Sequence, residues 1–229
     1  MGTKFVAAPA VGRRIFLRGL GAWLAAMVAG GSAPAAGEAL PQTVAALRYA
    51  FQRETDAHRR YLEFAAIAQR ESYQGIAYMF AAFAVSEGVH ARNFRNLLLR
   101  LGGSTVAAPT PIETRSTKEN LIAAVDDEID SIDRLYPGTL ERIRPEGDAE
   151  AARLVTFAWE SERQHRDLIR KIRRYSPLLF EQVAKTIDAK TGRYFVCDHC
   201  GSTTNQLPSP SCIVCGSAAQ RIRPVSPPG

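Results

Sequence analysis

Two short stretches decide the fold: Ser86-Glu87-Gly88-Val89-His90-Ala91 and Glu162-Arg163-Gln164-His165. In each, a glutamate and a histidine stand three residues apart. That spacing puts both side chains on one face of an α-helix, one turn apart, so a carboxylate and an imidazole can enter the same cavity. A single Glu-x-x-His reads as a solvated helix face; two of them, on two separate long helices, read as halves of one site. The helices themselves are legible outward from these pairs. Pro41 opens a pattern that runs to about Ser72, with Leu47, Phe51, Tyr61, Phe64, Ala65 and Ala68 at three- and four-residue spacing. A second helix spans Gln74 to Leu101, where Gly102-Gly103 stops it. Residues 102–115, with Pro109 and Pro111 among Gly, Ser and Thr, form a long connection. Ser116-x-x-Glu119 is a capping box for a third helix, expected to reach Leu135 and end before Pro137-Gly138. Asp148 caps a fourth helix running to about Tyr175, and Ser176-Pro177 begins a short helical linker over 176–192. No strand-like alternation appears before residue 193. Residues 40–175 are therefore expected to form an all-α four-helix bundle with one long crossover, between its second and third helices.

Glu54 on the first helix and Glu128 on the third complete a set of four glutamates and two histidines with Glu87, His90, Glu162 and His165. Glu54 precedes Glu87 by 33 residues and Glu128 precedes Glu162 by 34, which sets the ligands at matching depth in two helical hairpins. One Glu from each of two helices and Glu-x-x-His from each of the others is the way bundles hold two metal ions. Oxygen ligands with a few imidazoles suit iron or manganese. His58, four residues after Glu54, reads as a polar residue at the bundle edge.

The four cysteines all lie near the C-terminus, as Cys197-x-x-Cys200-Gly and Cys212-x-x-Cys215-Gly. Two such knuckles hold one ion, because four thiolates at ~2.3 Å make the tetrahedral sulfur site that iron or zinc accepts. Gly201 and Gly216 permit the turn that aims amide N–H groups at the sulfurs. The segment 193–229 has too little core to fold alone, so metal binding supplies its stability. Two adjacent disulfides are the competing arrangement in an exported protein.

The chain has 229 residues, 46% hydrophobic and 23% charged, which excludes low-complexity disorder and a multi-span membrane protein. Its net charge of +6 is concentrated at the start. Lys4, Arg13, Arg14 and Arg18 lie in the first 36 residues with no acidic partner, and without them the excess falls to +2. A nucleic-acid partner is therefore not expected. Arg13-Arg14-Ile15-Phe16-Leu17, the apolar run Leu20 to Ala29 and Ala33-Pro34-Ala35 read as a twin-arginine signal peptide over 1–36. The apolar run is about half the ~20 residues a membrane span needs, so no stable span is expected after cleavage. The expected compartment is the periplasm or cell exterior.

From about residue 43 to about 216 the sequence resembles rubrerythrin, a ferritin-like diiron bundle followed by a rubredoxin-like module. The resemblance rests on Ala50-Phe51-x-x-Glu54, Tyr61-Leu62, Ser86-Glu87-x-x-His90-Ala91, Glu119-Asn120-Leu121, Leu135-Tyr136-Pro137, Glu162-x-x-His165 and the start of the cysteine module at Tyr194-x-x-Cys197. It implies that Glu54, Glu87, His90, Glu128, Glu162 and His165 bind two irons, with Tyr61 and Tyr136 close to them as catalytic residues. It also implies that Cys197, Cys200, Cys212 and Cys215 hold a third iron in a small β module, with zinc as the alternative. One departure stands out: the family has a further glutamate three residues after the third-helix ligand, where its carboxylate takes part in a redox-linked change of coordination. Here that position is Ser131. Ser202, Thr203 and Ile213 also depart from the rubredoxin-like pattern. The expected activity is reduction of H2O2, with O2 as the other candidate oxidant, a separate redox protein as electron donor, and a homodimer in which the module of one chain serves the site of another. A ferroxidase with a structural zinc knuckle is the alternative enzyme, and a non-catalytic metal- or partner-binding protein the alternative outside enzymes.

Overall fold

The computed structural model describes residues 40–108, 110–173, 180, 182, 192–206 and 210–228. The expected export segment and nearly all of the expected linker lie outside these residues. Helix α1 spans Pro41–Arg70 and α2 spans Gln74–Arg100; the two form a tight hairpin. Pro41 occupies the first turn of α1, where its missing N–H costs nothing. The amides of Gln42 and Thr43 donate to the Glu146 carboxylate at 2.8 and 2.7 Å, so a residue far along the chain caps this end. Helix α2 ends as expected, with Gly102 in the left-handed region at φ +73°. The crossover that follows is tied back to α1 by Gln52, whose side chain both donates to the Ala108 carbonyl and accepts from its amide.

Helix α3, Thr117–Asp130, opens with the expected capping box between Ser116 and Glu119. The expected end before Pro137-Gly138 is corrected by the structure. The chain passes through a π-helical turn, Ser131–Leu135, and continues as α4, Tyr136–Ile143. The widened turn resets the hydrogen-bond register, so Pro137 falls in the first turn of a new α-helix, where it needs no N–H. Trp159 donates its indole N–H to the Ile132 carbonyl at 2.9 Å inside that turn. A short 3₁₀ turn at Arg144–Glu146 leads to α5, Ala149–Arg173, whose start is capped by Asp148 through the Ala151 amide. Helices α1, α2, α5 and the α3–α4 run make the four-helix, ferritin-like bundle.

Apolar side chains divide the bundle interior in two. Tyr61, Phe64, Phe80, Phe83 and Ile169 belong to one cluster; Leu47, Phe51, Phe94, Leu98, Tyr136 and Val155 belong to the other. On three of the helices a polar candidate falls at the change between clusters: Glu54 between Phe51 and Tyr61, His90 between Val89 and Phe94, His165 between Ala158 and Ile169. A charged layer therefore sits at mid-depth with packed hydrophobic material on both sides.

The C-terminal module is a three-stranded antiparallel sheet in the order β2-β1-β3, from β1 Phe195–Cys197, β2 Thr203–Thr204 and β3 Ile222–Pro224. Tyr78 of α2 anchors it: its hydroxyl donates to the Val225 carbonyl at 2.7 Å and accepts from the Tyr194 amide at 3.3 Å. Gly201 and Gly216 sit at φ +85° and +71°, a conformation that favours glycine at each knuckle.

Candidate metal centre

All six carboxylate and histidine residues meet in the charged layer. Glu54 comes from α1, Glu87 and His90 from α2, Glu128 from α3, Glu162 and His165 from α5, and each is at most 3% exposed. They form two overlapping groups, Glu54-Glu87-His90-Glu162 and Glu87-Glu128-Glu162-His165, each with one ligand atom per residue within 4.8 Å of the others. Glu87 and Glu162 belong to both. The imidazoles turn their Nδ1 atoms inward. His90 Nδ1 lies 2.9 Å from Glu87 and 3.5 Å from Glu54; His165 Nδ1 lies 3.1 Å from Glu87 and 3.2 Å from Glu162. His58 stands apart from both groups, its Nδ1 2.6 Å from the Ala84 carbonyl.

Four buried carboxylates face two imidazoles, so even with both imidazoles charged the layer keeps an excess of negative charge. A buried site holds such an excess only with cations. Burial raises the Glu54 carboxyl above its usual range, and burial with the charges of Glu128 and Glu87 raises Glu162 well above it. Burial opposes the charged form of His90, but hydrogen bonds to Glu54 and Glu87 outweigh it and push the imidazole up to about 9. Without metal, His90, His165 and Glu162 therefore each hold a proton more tightly than the free side chain does. Hard oxygen donors with imidazoles, in two groups sharing two carboxylates, fit a pair of iron ions.

Two buried phenols orient the carboxylates. Tyr61 donates to Glu128 at 2.5 Å; Tyr136, at the first position of α4, donates to Glu54 and reaches Glu162 at 3.3 Å. Burial and the facing carboxylates raise both phenols well above their ordinary range, so they remain protonated donors.

The four cysteines are free and converge, with Cys197 Sγ 3.8 Å from Cys215 Sγ and Cys200 Sγ 3.6 Å from Cys212 Sγ. A tetrahedron with ~2.3 Å metal–sulfur bonds has edges of about 3.8 Å, so this arrangement fits one iron ion. Its neighbours and burial raise the Cys200 thiol, with Cys197 and Cys212 contributing most.

The two donor sets touch. The outward Nε2 of His90 lies 3.2 Å from the Cys200 carbonyl, and the outward Nε2 of His165 lies 3.1 Å from the Thr203 hydroxyl. Ser86 donates to the Gly201 carbonyl at 2.7 Å, Asn93 to the His199 carbonyl at 2.7 Å, and Gln164 accepts from the Thr203 amide at 2.8 Å. A Cβ on Gly201 would stand 2.1 Å from His90 Nε2, so this glycine is needed for close approach as well as for its turn. Sequence reasoning singled out the two metal sets and the two tyrosines. It missed the docking roles of Ser86, Asn93, Gln164 and Thr203, because polar residues on helix faces carry the same signal as solvated ones.

Comparison with known proteins agrees with this geometry. A family model described as rubrerythrin matches residues 45–173. Rubrerythrin-2 of Clostridium acetobutylicum is 32% identical over 171 residues, covering 74% of this chain and 89% of that protein. Nigerythrin of Nitratidesulfovibrio vulgaris is 31% identical over 131 residues, covering 56% and 63%. Among solved structures, fully reduced nigerythrin superposes with a TM-score of 0.66 at 24% identity, covering 80% of this chain and 86% of its own. The bacterioferritin of Desulfovibrio desulfuricans gives 0.62 at 22% identity, covering 68% and 91%, and shares the bundle fold. The chain belongs to the rubrerythrin family, with a ferritin-like diiron bundle and a four-cysteine cluster.

Proposed function

We propose that this protein is a peroxide reductase, converting H2O2, two electrons and two protons into two molecules of water. The observation that carries the reading is the direct seating of the cysteine module on the histidine ends of the carboxylate layer. Glu54, Glu87, His90, Glu128, Glu162 and His165 would hold the diiron pair, and the four cysteines a further iron. Iron at the two sets supplies one-electron oxidation–reduction chemistry, two equivalents at the carboxylate layer for each peroxide and one at a time from the thiolates. The rest is the work of the chain. His90 donates its Nε2–H to the Cys200 carbonyl, which leaves Nδ1 free as a ligand atom and links the two sets by one hydrogen bond. Thr203 holds His165 in the same sense. Tyr61 and Tyr136 keep their protons and aim carboxylate oxygens at the site, and the apolar clusters on either side exclude bulk water.

The electrons are delivered to the module by a separate redox protein, and the reading places the enzyme outside the cytoplasm on the strength of the twin-arginine stretch. Manganese in the bundle or zinc in the module would change the chemistry, and metal analysis of purified protein distinguishes them from iron. A ferroxidase is the second reading, favoured by one feature: Ser131 stands where the family has its extra carboxylate. The test is consumption of H2O2 with an artificial one-electron reductant. Glu128→Ala should lower turnover by about a hundredfold, the upper range for disturbing a metal's ligand environment. Turnover unchanged in Glu128→Ala would refute the assignment.

A further inference from the structure

On the carboxylate side of the layer lies a cavity of about 20 Å³. Neither histidine and no residue of the cysteine module lines it, so it opens on a different face from the one that receives electrons. Its floor is the buried carboxylates of the cluster. Its rim is Arg53, Arg60, Asp127 and Ser131, with Ala57 in the wall. A volume of this size admits about one water-sized molecule.

The rim is cationic. Arg60 pairs with Asp127 at 2.8 Å, and Arg53 lies 3.9 Å from Asp130, which Arg134 also pairs. At the cavity itself the guanidiniums of Arg53 and Arg60 stand with the Asp127 carboxylate around a floor of four glutamates. Arg60 lies over the Tyr61 ring at 5.7 Å, and its buried Nε is a donor with no partner among the described residues. A divalent cation approaching here meets fixed positive charge before it meets the carboxylates. An uncharged molecule meets no such barrier.

We propose that this cavity is the mouth through which the oxidant approaches the carboxylate layer, that it favours small uncharged molecules such as hydrogen peroxide over cations and bulkier peroxides, and that Arg60 sets the selectivity by size and charge. Ser131 contributes by being small: its side chain leaves the mouth open beside the π-helical turn. The inference deepens the peroxide-reductase reading and rests on it. It also argues against the ferroxidase reading, which requires Fe(II) to enter as substrate.

The test has two arms, run on wild type, Arg60→Ala, Arg60→Lys and Ser131→Leu. In the first, reduced iron-loaded protein is mixed with H2O2 or with tert-butyl hydroperoxide. Wild type should prefer H2O2 by at least about tenfold, and Arg60→Ala should reduce that preference several-fold by widening the mouth. Ser131→Leu should slow the H2O2 reaction about tenfold while leaving the thiolate spectrum unchanged. In the second arm, metal-free protein is mixed with Co(II), and binding is read on the ligand-field bands of carboxylate-bound cobalt. Uptake should quicken about tenfold in Arg60→Ala, the scale of electrostatic steering, and stay at the wild-type rate in Arg60→Lys, which keeps the charge. Unchanged peroxide preference and unchanged cobalt uptake in Arg60→Ala would overturn the proposal. Wild type inert to H2O2 would refute the peroxide-reductase reading instead, and the cobalt arm would still decide whether Arg60 guards the opening.

Discussion

At the residue scale, Gly201 is constrained twice. It sits at φ +85°, and any Cβ there meets the imidazole of His90. Gly201→Ala should lower stability by about 1–3 kcal/mol from backbone strain, read as a drop in melting temperature. The variant should also slow reoxidation of the module, because the His90–Cys200 contact opens. Protonation gives a second prediction here. In the metal-free protein His90 titrates near 9, above its unfolded value near 6.5, so its pairing with Glu54 and Glu87 stabilises the fold fully below about 6.5. That contribution is lost as pH rises toward 9. The metal-free protein should therefore melt at lower temperature as pH rises through this window. Metal affinity should move the opposite way, because loading must release those protons. A melting temperature independent of pH between 6.5 and 9 in the metal-free form would contradict the pairing.

At the element scale, the capping box, the α1–α2 hairpin and both Glu-x-x-His pairs were legible because each depends on spacing within one helix. The π-helical turn was not. Its register is held from outside by the Trp159 indole on the Ile132 carbonyl, and no local pattern announces a bond between residues on different helices. The proline that suggested a helix end marks a helix start. Trp159→Phe should cost about 1–3 kcal/mol by leaving that carbonyl unsatisfied. It should also disturb Tyr136, whose hydroxyl hangs from the next turn against Glu54. Ser116→Ala, which removes an ordinary cap, should cost about 1 kcal/mol and leave the metal site unaffected.

At the scale of the whole molecule, both metal sets could be named from sequence, but their contact could not. Ser86, Asn93, Gln164 and Thr203 make the docking bonds, and each is unremarkable in its own segment. The resemblance implies a homodimer in which the module of one chain serves the site of another; within the single chain the module lies against that chain's own bundle. If that seating is the route the electrons take, a mixing experiment has a definite outcome. Mixing Glu128→Ala protein, which has an intact module, with protein carrying Cys197→Ser and Cys200→Ser, which has an intact bundle, should restore no turnover. Restoration in the mixture would show delivery between chains. Export is a separate prediction: Arg13→Lys with Arg14→Lys should leave the protein in the cytoplasm, read by fractionation.

Two metal sets joined by the His90–Cys200 contact should act as one redox unit. The most direct measurement mixes anaerobically reduced, iron-loaded protein rapidly with one equivalent of H2O2 and follows the visible spectrum. Fast oxidation of the diiron site should be followed by growth of the ferric–thiolate band, with the second phase absent when Cys197 and Cys200 are replaced by serine. Diiron oxidation in an iron-filled wild-type protein with no thiolate phase would contradict this coupling.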